Sequence, residues 1–555
     1  MSIRHAQLIA GWIGLASLIP LSADAQDSSF DTALGMMTGT ENIDELEPSA
    51  VAVEMRRLSG KQLFHHEWQA IAGKAGGATQ PRGRRLAARR IRGTGQVGPV
   101  KFADLVSNVV SGDGLGPLHN ATSCSTCHVA GGGSGVQQNV TLITIDPRSD
   151  AIKDNQEGAR NFRRIFPGLI GPDGSLLFET VIHDRSTRPG YDVIRNGLSQ
   201  HVPGGLRGQW FDPAQRTIAA IAEQPVIAGR YGDVDFYLSQ RNAPPLFGLG
   251  EIDSINPQRL KSIAQQQAVR TDGKITGRVA GKFGWRGQVS SLAAFVRSAC
   301  AGELGLNQTV AGQAPDPADA TYVNVAADIS SHEVAKLIEY VGTIPRPVER
   351  AQANVSRSRL LQGEHLFNSI GCSTCHLADL PPLTGMFSDL LLHDMGPKLQ
   401  APSPAPIGLQ QGIELISAVR FPVTATVPGA RSFGFYDSGS QDFPVPQGFP
   451  ALGEYPRPPE PRFPQSDFTD NSSSVAPYPG TWEAMQLEWR TAPLWGIADT
   501  APYLHDGRAA TLDEAILWHG GEAQASRDEY VTLQTSERSL VTDFLSSLHA
   551  PHVSP

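Results

Sequence analysis

Apolar residues recur with a helical period in two segments that each lie near the end of one half of the chain. The first runs from Ser331 to Ile344, with Ser331 as the cap and Pro345 as the break that follows. The second runs from Ser536 to Leu548 and stops before Pro551. Proline cannot continue a helix, so both segments are predicted to be helices that close a structural half.

The second half shows two further patterns. Residues 361–367 read LQGEHLF, an amphipathic pattern that predicts a helix at the start of this half. Residues 401–407 and 443–464 are dense in Pro, Gly and polar residues, which disfavours regular helix. The stretch that contains them is predicted to be an ordered or semi-ordered excursion over the surface.

A short helix is predicted to begin after Thr511. Thr511 and Glu514 have the spacing of a capping box, and Gly520 and Gly521 are predicted to end the helix. Its buried stripe, at positions i, i+3, i+4 and i+7, consists of Leu512, Ala515, Ile516 and His519. A lone histidine on an apolar stripe is usually a core residue, but a buried iron in the same half would favour His519 as a ligand.

The first 25 residues have the pattern of a secretory signal peptide. Arg4 supplies a positive charge, residues 8–21 are mostly apolar, and residues 23–25 form an A-x-A cleavage site before Gln26. A retained membrane anchor is the alternative, but the apolar stretch is too short to span a bilayer comfortably. Since no later segment is apolar enough to cross, the mature protein is expected in the periplasm without a membrane span.

Composition excludes some partners and leaves others open. The 555 residues include 40% hydrophobic residues, enough for two or three domains with sizeable cores. With 46 Lys+Arg against 55 Asp+Glu the net charge is −9, so nucleic-acid binding is not expected. A basic run could dock an acidic electron donor or could be a solvated loop; it comprises Arg82, Arg84, Arg85, Arg89, Arg90 and Arg92.

Two copies of the pentapeptide C-x-x-C-H use four of the five cysteines. The motifs span residues 124–128 and 372–376, and both read CSTCH. In an exported protein this spacing predicts covalent attachment of c-type haem, with the thiols in thioether bonds and the histidine as the proximal iron ligand. The attachment residues are therefore Cys124, Cys127, Cys372 and Cys375, and the proximal ligands are His128 and His376.

Zinc binding and redox disulfides are the alternatives for these motifs. A zinc site needs four ligands close together, and no second Cys or His pair lies near either motif. A thioredoxin-like dithiol needs a βαβ context that neither flank offers. Two covalently bound haem c groups are therefore predicted.

A second repeat accompanies the haem motifs. Residues 241–249 read RNAPPLFGL and residues 490–497 read RTAPLWGI. Repeated motifs in the same order imply duplication. The predicted fold is mainly α, with two cytochrome c-like helical haem domains in tandem and long irregular loops. The predicted divisions are a signal peptide (1–25), an N-terminal extension (26–104), an N-terminal haem domain (105–346), and a C-terminal haem domain (356–550) with a Pro-rich insertion at about 401–480.

Residues 492–521 read APLWGIADTAPYLHDGRAATLDEAILWHGG, which resembles the signature of the di-haem cytochrome c peroxidase superfamily. The nearest resemblance is to its di-haem oxidoreductase (putative peroxidase) family. Residues 388–396 (SDLLLHDMG) and 114–118 (GLGPL) are similar to that family too. The resemblance extends over roughly residues 105–550, apart from the Pro-rich excursion.

The resemblance also bears on the sixth ligand of the second haem. In these peroxidases the distal ligand lies fourteen residues after the histidine of the P-Y-x-H-D-G motif, which here is His505. That position is His519 in this chain, which implies an iron bound by His376 and His519. Met395 is the competing ligand, with a core or haem-edge position as its alternative.

The first half carries two residues that the resemblance implies in catalysis. Trp285 matches the tryptophan between the two haems, where an aromatic ring shortens the electron-transfer path; ordinary core packing is the alternative. Glu303 matches the acid above the peroxidatic haem, which would move the proton that O–O cleavage requires; a solvent-exposed acid at a helix end is the alternative. Cys300 stands where relatives carry a bulky aromatic, and a buried structural thiol is expected there.

A calcium ion is the other cofactor that the resemblance implies. Asn242, Thr500 and Pro502 match the positions that hold it in the superfamily, and turn geometry alone is the alternative. The distal residue of the first haem is left open between His183 and His201, since neither spacing singles one out.

The leading functional prediction is a periplasmic peroxidase-type oxidoreductase. Electrons from a small electron-donor protein or a quinol-linked donor would enter at the C-terminal haem, pass Trp285 and reach the N-terminal haem, where peroxide is reduced. The rubber oxygenases belong to the same superfamily, so oxygenation of an organic substrate with dioxygen is an alternative. A non-enzymatic di-haem electron carrier is the other.

Overall fold

The structure is a computed structural model. It describes residues 58–70, 114–146, 178–308, 312–314, 327–347, 355–402 and 482–551, with the single residues 149, 166 and 169. The predicted signal peptide, the basic run and nearly all of the Pro-rich insertion lie outside the described residues. The predicted domain boundaries stay a prediction.

Helices dominate the described residues, which confirms the mainly helical prediction. In chain order they are α1 (Gly60–His65), α2 (Cys124–Cys127), α3 (Tyr191–Gly197), α4 (Gly208–Phe211), α5 (Ile218–Glu223), α6 (Leu249–Asp253), α7 (Pro257–Arg270), α8 (Leu292–Gly302), α9 (Ser331–Thr343), α10 (Arg357–Ser369), α11 (Trp482–Leu487), α12 (Leu512–Leu517), α13 (Gln524–Thr532) and α14 (Thr535–Leu545). None of the described helices is long and apolar enough to span a membrane.

Both closing helices form where the sequence predicts them. The predicted cap of α9 is wrong by one residue. Ser330, and not Ser331, accepts a hydrogen bond from the Glu333 backbone N–H at 3.3 Å. The Glu333 carboxylate in turn accepts from the Ser330 backbone N–H at 2.7 Å. This reciprocal capping box fixes the start of the helix.

A four-stranded antiparallel sheet, which the sequence analysis did not predict, lies in the first half. Its strands are ordered β3-β2-β6-β5, and two further strand pairs, β1-β4 and β7-β8, are also antiparallel. The strands are β1 (Leu118–His119), β2 (Val140–Ile145), β3 (Glu179–Ile182), β4 (Arg185–Ser186), β5 (Val226–Tyr231), β6 (Val234–Arg241), β7 (Leu392–Asp394) and β8 (Glu488–Arg490).

Two pairs of helices cross at very close range. Gly60 in α1 lies so close to α9 that a Cβ built on it would be 2.1 Å from the Lys336 carbonyl oxygen. Gly363 in α10 lies equally close to α14, where its Cβ would be 2.1 Å from the Leu540 carbonyl oxygen. Only glycine permits such an approach of two helix backbones. Helix α1 therefore crosses the closing helix α9 as closely as α10 crosses the closing helix α14.

Separate apolar cores surround the two haem motifs. The partly buried cysteines Cys124 and Cys127 pack against a core that draws residues from both halves, and Cys372 packs against a core built from α10, α14 and the segments between them. The sheet has its own core, formed by the inward side chains of β2, β5 and β6 with α3 and α4. The two motifs thus lie on helical cores, and the sheet stands apart from them.

Candidate active site and haem centres

The second C-x-x-C-H motif borders a large apolar cavity. The cavity has a volume of about 230 Å³, and Cys372, Cys375 and His376 are among the residues that line it. His376 Nδ1 donates a hydrogen bond to the Phe387 carbonyl oxygen at 2.9 Å, which leaves Nε2 available as a ligand atom. Burial lowers the pKa of His376 to about 4, so the ring is neutral, as metal ligation requires.

His519 lies opposite His376 in this cavity. The two ring centroids are 6.5 Å apart. A metal–imidazole nitrogen bond is about 2 Å long, so two imidazoles on opposite sides of one ion have ring centroids roughly 6 Å apart. His519 Nδ1 donates to the Ala515 carbonyl oxygen at 2.8 Å, and burial lowers the pKa of this ring too. Both imidazoles therefore have the position, charge state and free nitrogen that a haem iron needs.

The sequence analysis placed His519 within a helix, and this is wrong. The capping box of Thr511 and Glu514 is confirmed, but α12 ends at Leu517 and His519 follows in the turn. Met395 lines the same cavity. Both predicted candidates for the sixth ligand are thus brought to one place, and the assignment of His519 stays a prediction.

The first C-x-x-C-H motif forms the short helix α2 and ends at His128. The Nδ1 atom of His128 is buried and has no hydrogen-bond partner within the described part of the chain. Burial lowers the pKa of His128 to about 4 and raises the pKa of Cys127 to about 12. A neutral imidazole beside two buried thiols fits covalent haem attachment. Cys300 is buried against the same core and close enough to influence the ionisation of Cys124, as expected for a structural thiol.

Glu303 lies immediately after α8 and close to the first motif. Burial raises the pKa of Glu303 to about 7, although a hydrogen bond from Asn120 opposes this shift. Asn120 Nδ2 donates to the Glu303 carboxylate at 2.6 Å, and the Asn120 backbone N–H donates to the Glu303 carbonyl oxygen at 2.8 Å. The Glu303 carboxylate is also close enough to Cys127 to raise the pKa of that thiol. An acid beside the haem motif that exchanges its proton near neutral pH is suited to general acid–base catalysis.

The two histidines considered as the distal residue of the first haem lie in different parts of the structure. His183 Nε2 donates to the Gly302 carbonyl oxygen at 2.7 Å, next to Glu303, and its buried Nδ1 has no partner in the described chain. His201 instead packs edge-on against Tyr231, with ring centroids 4.7 Å apart, beside the sheet. His119, which the sequence analysis did not single out, lies near His183, and burial lowers the pKa of His119 to about 4. Of the two predicted candidates, only His183 lies near Glu303.

Trp285 lies between two cavities. It lines the large cavity of the second motif and also a smaller cavity of about 40 Å³ whose apolar walls include Phe247 and Phe283 from the first half. Its indole N–H donates to the Asn242 carbonyl oxygen at 2.7 Å, and its own carbonyl oxygen accepts from the Arg490 N–H at 3.0 Å. The side chain is therefore held at the boundary between the halves.

Two of the predicted calcium residues point their oxygens toward the same small space beside Gly133. A Cβ built on Gly133 would lie 3.5 Å from the Asn242 side-chain oxygen and 3.8 Å from the Thr500 carbonyl oxygen. Asn242 Nδ2 donates to the Ser134 carbonyl oxygen at 2.9 Å, which leaves its oxygen facing this space. Pro502 lines the adjoining cavity. Oxygen donors of this kind suit calcium, which stays a prediction.

Two buried histidines near the second motif have surroundings that the sequence analysis did not predict. His505 stacks on Trp489 with ring centroids 3.6 Å apart, and its pKa is lowered well below the usual range by burial and by the neighbouring Arg508. His393 lies between the carboxylates of Asp389 and Glu522. The pattern SDLLLHDMG carried both Asp389 and His393, but nothing in it indicates that Glu522 joins them.

Comparisons with known proteins support the resemblance. A family model described as "Di-haem oxidoreductase, putative peroxidase" matches residues 468–548. The comparison with curated proteins gives no match.

Two solved structures are similar to the chain over part of its length. A hydrazine synthase of Kuenenia stuttgartiensis is 15% identical, with a TM-score of 0.27, and the match covers 64% of this chain and 86% of that one. A MauG-like protein associated with microbial copper homeostasis is 15% identical, with a TM-score of 0.25, and the match covers 57% of this chain and 76% of that one. Both TM-scores are too low to define a shared fold. The family match confirms, over residues 468–548, the resemblance to the di-haem oxidoreductase, putative peroxidase family that the sequence predicts.

Proposed function

We propose that this protein is a periplasmic di-haem peroxidase that takes electrons in at the second haem site and reduces peroxide at the first. The observation that carries this proposal is the environment of Glu303. Its carboxyl lies close to Cys127 of the first motif and has its pKa raised by burial to about 7. An electron carrier with no chemistry of its own has no use for such a group.

The chain supplies the means to hold two haems. Cys124 and Cys127 would attach the first haem and Cys372 and Cys375 the second. When bound, the haem irons supply the one-electron redox chemistry that amino-acid side chains lack. His376 and His519 would together hold the second haem and leave no room there for substrate, while His128 would hold the first haem, where peroxide would bind.

Glu303 would transfer protons at the first site. One hydrogen peroxide takes up two electrons and two protons and becomes two waters. The carboxylate of Glu303 can take the proton from one peroxide oxygen and return it to the other, since a pKa near 7 makes both steps accessible. The hydrogen bond from Asn120 at 2.6 Å keeps the carboxylate in a fixed orientation for this transfer.

Trp285 would provide the electronic contact between the two sites. Trp285 lines both the cavity of the second motif and the smaller apolar cavity. A small electron-donor protein or a quinol-linked donor would supply the electrons. A calcium ion held by Asn242, Thr500 and Pro502 would brace the turn beside the second site.

Haem content and peroxide turnover together test the proposal. The holoprotein, purified from a host that matures c-type cytochromes, is expected to contain two covalent haems by pyridine haemochrome assay. Replacing both cysteines of either motif by alanine should leave one. The holoprotein should then oxidise a reduced c-type cytochrome when hydrogen peroxide is added.

Three results would overturn it. A haem count other than two contradicts the cofactor assignment. Dioxygen uptake with an organic substrate, without peroxidase activity, would indicate an oxygenase. Two haems without either activity would indicate an electron carrier.

A further inference from the structure

Three buried ionisable side chains form a chain of hydrogen bonds near the second haem motif. His393 Nδ1 lies 2.6 Å from a Glu522 carboxylate oxygen, and His393 Nε2 lies 2.9 Å from an Asp389 carboxylate oxygen. The side chains of all three are at most 2% exposed. We call these residues the 389–393–522 triad. Since a carboxylate accepts at each ring nitrogen, both nitrogens donate, and the imidazole is held in its charged form.

The triad joins the two segments that carry the predicted ligands of the second haem. Asp389 lies in the loop that follows His376, whereas Glu522 lies three residues after His519. Ligand atoms of Asp389 and His393 and the sulfur of Cys375 all lie within 4.8 Å of one another. The triad is therefore next to the predicted attachment residue Cys375. It also connects the segment that follows His376 with the segment that follows His519.

Neutral donors from elsewhere in the chain bind both carboxylates. Gln267 donates to Asp389 at 2.5 Å, and the Leu391 backbone N–H donates to its other oxygen at 2.9 Å. The Thr276 backbone N–H and hydroxyl each donate to Glu522 at 3.3 Å. With two carboxylates and one imidazole, the triad itself carries more negative than positive charge, and the buried Arg490 guanidinium interacts electrostatically with Asp389.

A buried negative charge near a haem stabilises the ferric iron relative to the ferrous iron. The effect is strong here because the residues are shielded from water, which would otherwise screen the charge. A metal ion does not explain the cluster, since both nitrogens of His393 are engaged and Cys375 is assigned to the haem.

We propose that the 389–393–522 triad holds the reduction potential of the second haem low and so makes it the electron donor to the first haem. This inference rests on the proposed function, because it requires a haem at the second motif. Asp389, His393 and Glu522 then act as positioning and tuning residues that touch neither substrate nor iron.

Removing one negative charge at a time tests the inference. Asp389→Asn and Glu522→Gln preserve side-chain shape, and each should shift the midpoint potential of the second haem upward in a spectroelectrochemical titration of the holoprotein. The first haem serves as the internal reference and should not move. Glu333→Gln is the matched control, because Glu333 is also a buried carboxylate but caps α9 in the first half.

Low-temperature EPR distinguishes a change of the iron ligands from a change of the charge near the second haem. The low-spin signal of the second haem should persist in both triad variants while its potential rises. If Asp389→Asn does not bind haem, Glu522→Gln decides, since an amide oxygen can still accept from Thr276. An unchanged or lower midpoint in a two-haem variant overturns the inference alone, whereas a wild-type protein with fewer than two haems contradicts the proposed function.

Discussion

The imidazole rings of His376 and His519 both line the large cavity, with their centroids 6.5 Å apart and their planes tilted by 54°. Each ring uses Nδ1 to bind a backbone carbonyl, of Phe387 and Ala515 respectively. The same nitrogen is therefore left free on both rings, and a haem held by Cys372 and Cys375 would lie between them. This relationship makes the ligand assignment testable.

His519→Ala should convert the low-spin signal of the second haem to a high-spin or water-ligated one in low-temperature EPR. The reason is that the variant removes one of two axial imidazoles and leaves His376 in place. Met395→Ala is the control, because Met395 lines the same cavity but is not the assigned ligand. The assignment fails if Met395→Ala abolishes the low-spin signal and His519→Ala does not.

Glu303→Gln should keep both haems and their spectra but slow peroxide turnover by roughly 100-fold, the usual size of a general acid–base contribution. The change preserves shape and removes only the titrating proton. Steady-state turnover with a fixed reductant measures the effect, and Glu333→Gln provides a buried carboxylate-to-amide control. Turnover equal to that of the wild type would remove Glu303 from the reaction.

The stability of the protein should also depend on the titration of Glu303. Burial raises its pKa from 4.5 to about 7 in the folded state, so the folded state binds the proton more tightly than the unfolded state does. The resulting stabilisation is complete below the unfolded pKa and is lost as the pH rises through the folded pKa. Glu303→Gln cannot titrate, so the Tm of the wild type should fall relative to that of the variant between about pH 5 and about pH 8. A constant Tm difference over this range would mean that Glu303 is ionised throughout.

Gly363→Ala should lower the stability of the second half. Its new Cβ would meet the Leu540 carbonyl oxygen in α14, and overpacking of this kind typically lowers the free energy of unfolding by about 1–3 kcal/mol. Gly197→Ala is the control, since a Cβ at that helical position meets no atom within 4 Å. Thermal unfolding of the holoproteins measures both. If the two variants unfold alike, the close crossing of α10 and α14 is not a source of stability.

Local signals were enough to predict the helices α9, α10, α12 and α14. The capping box of Thr511 and Glu514 is confirmed because it depends only on neighbours in sequence. The sheet was missed, although Gly232 with a positive φ and a two-residue turn join β5 to β6, which is a recognisable hairpin signal. Its strands are buried on both faces in places, so they lack the clear alternation that marks a half-exposed strand.

The parts of the site that depend on distant residues could not be predicted from the sequence. Glu522 joins Asp389 and His393 only because the turn after α12 folds against β7, and no local pattern records that approach. The position of His519 just beyond α12 was missed for a related reason. The helical period continues through it, while the chain leaves the helix after Leu517 to enter the turn at Gly520 and Gly521.

The two cavities share a wall that includes Trp285, Arg490 and Pro493. A substitution in that wall therefore changes the lining of both cavities at once. The side chains that fit at these three positions are therefore limited by the packing of both cavities, and not by that of one cavity alone.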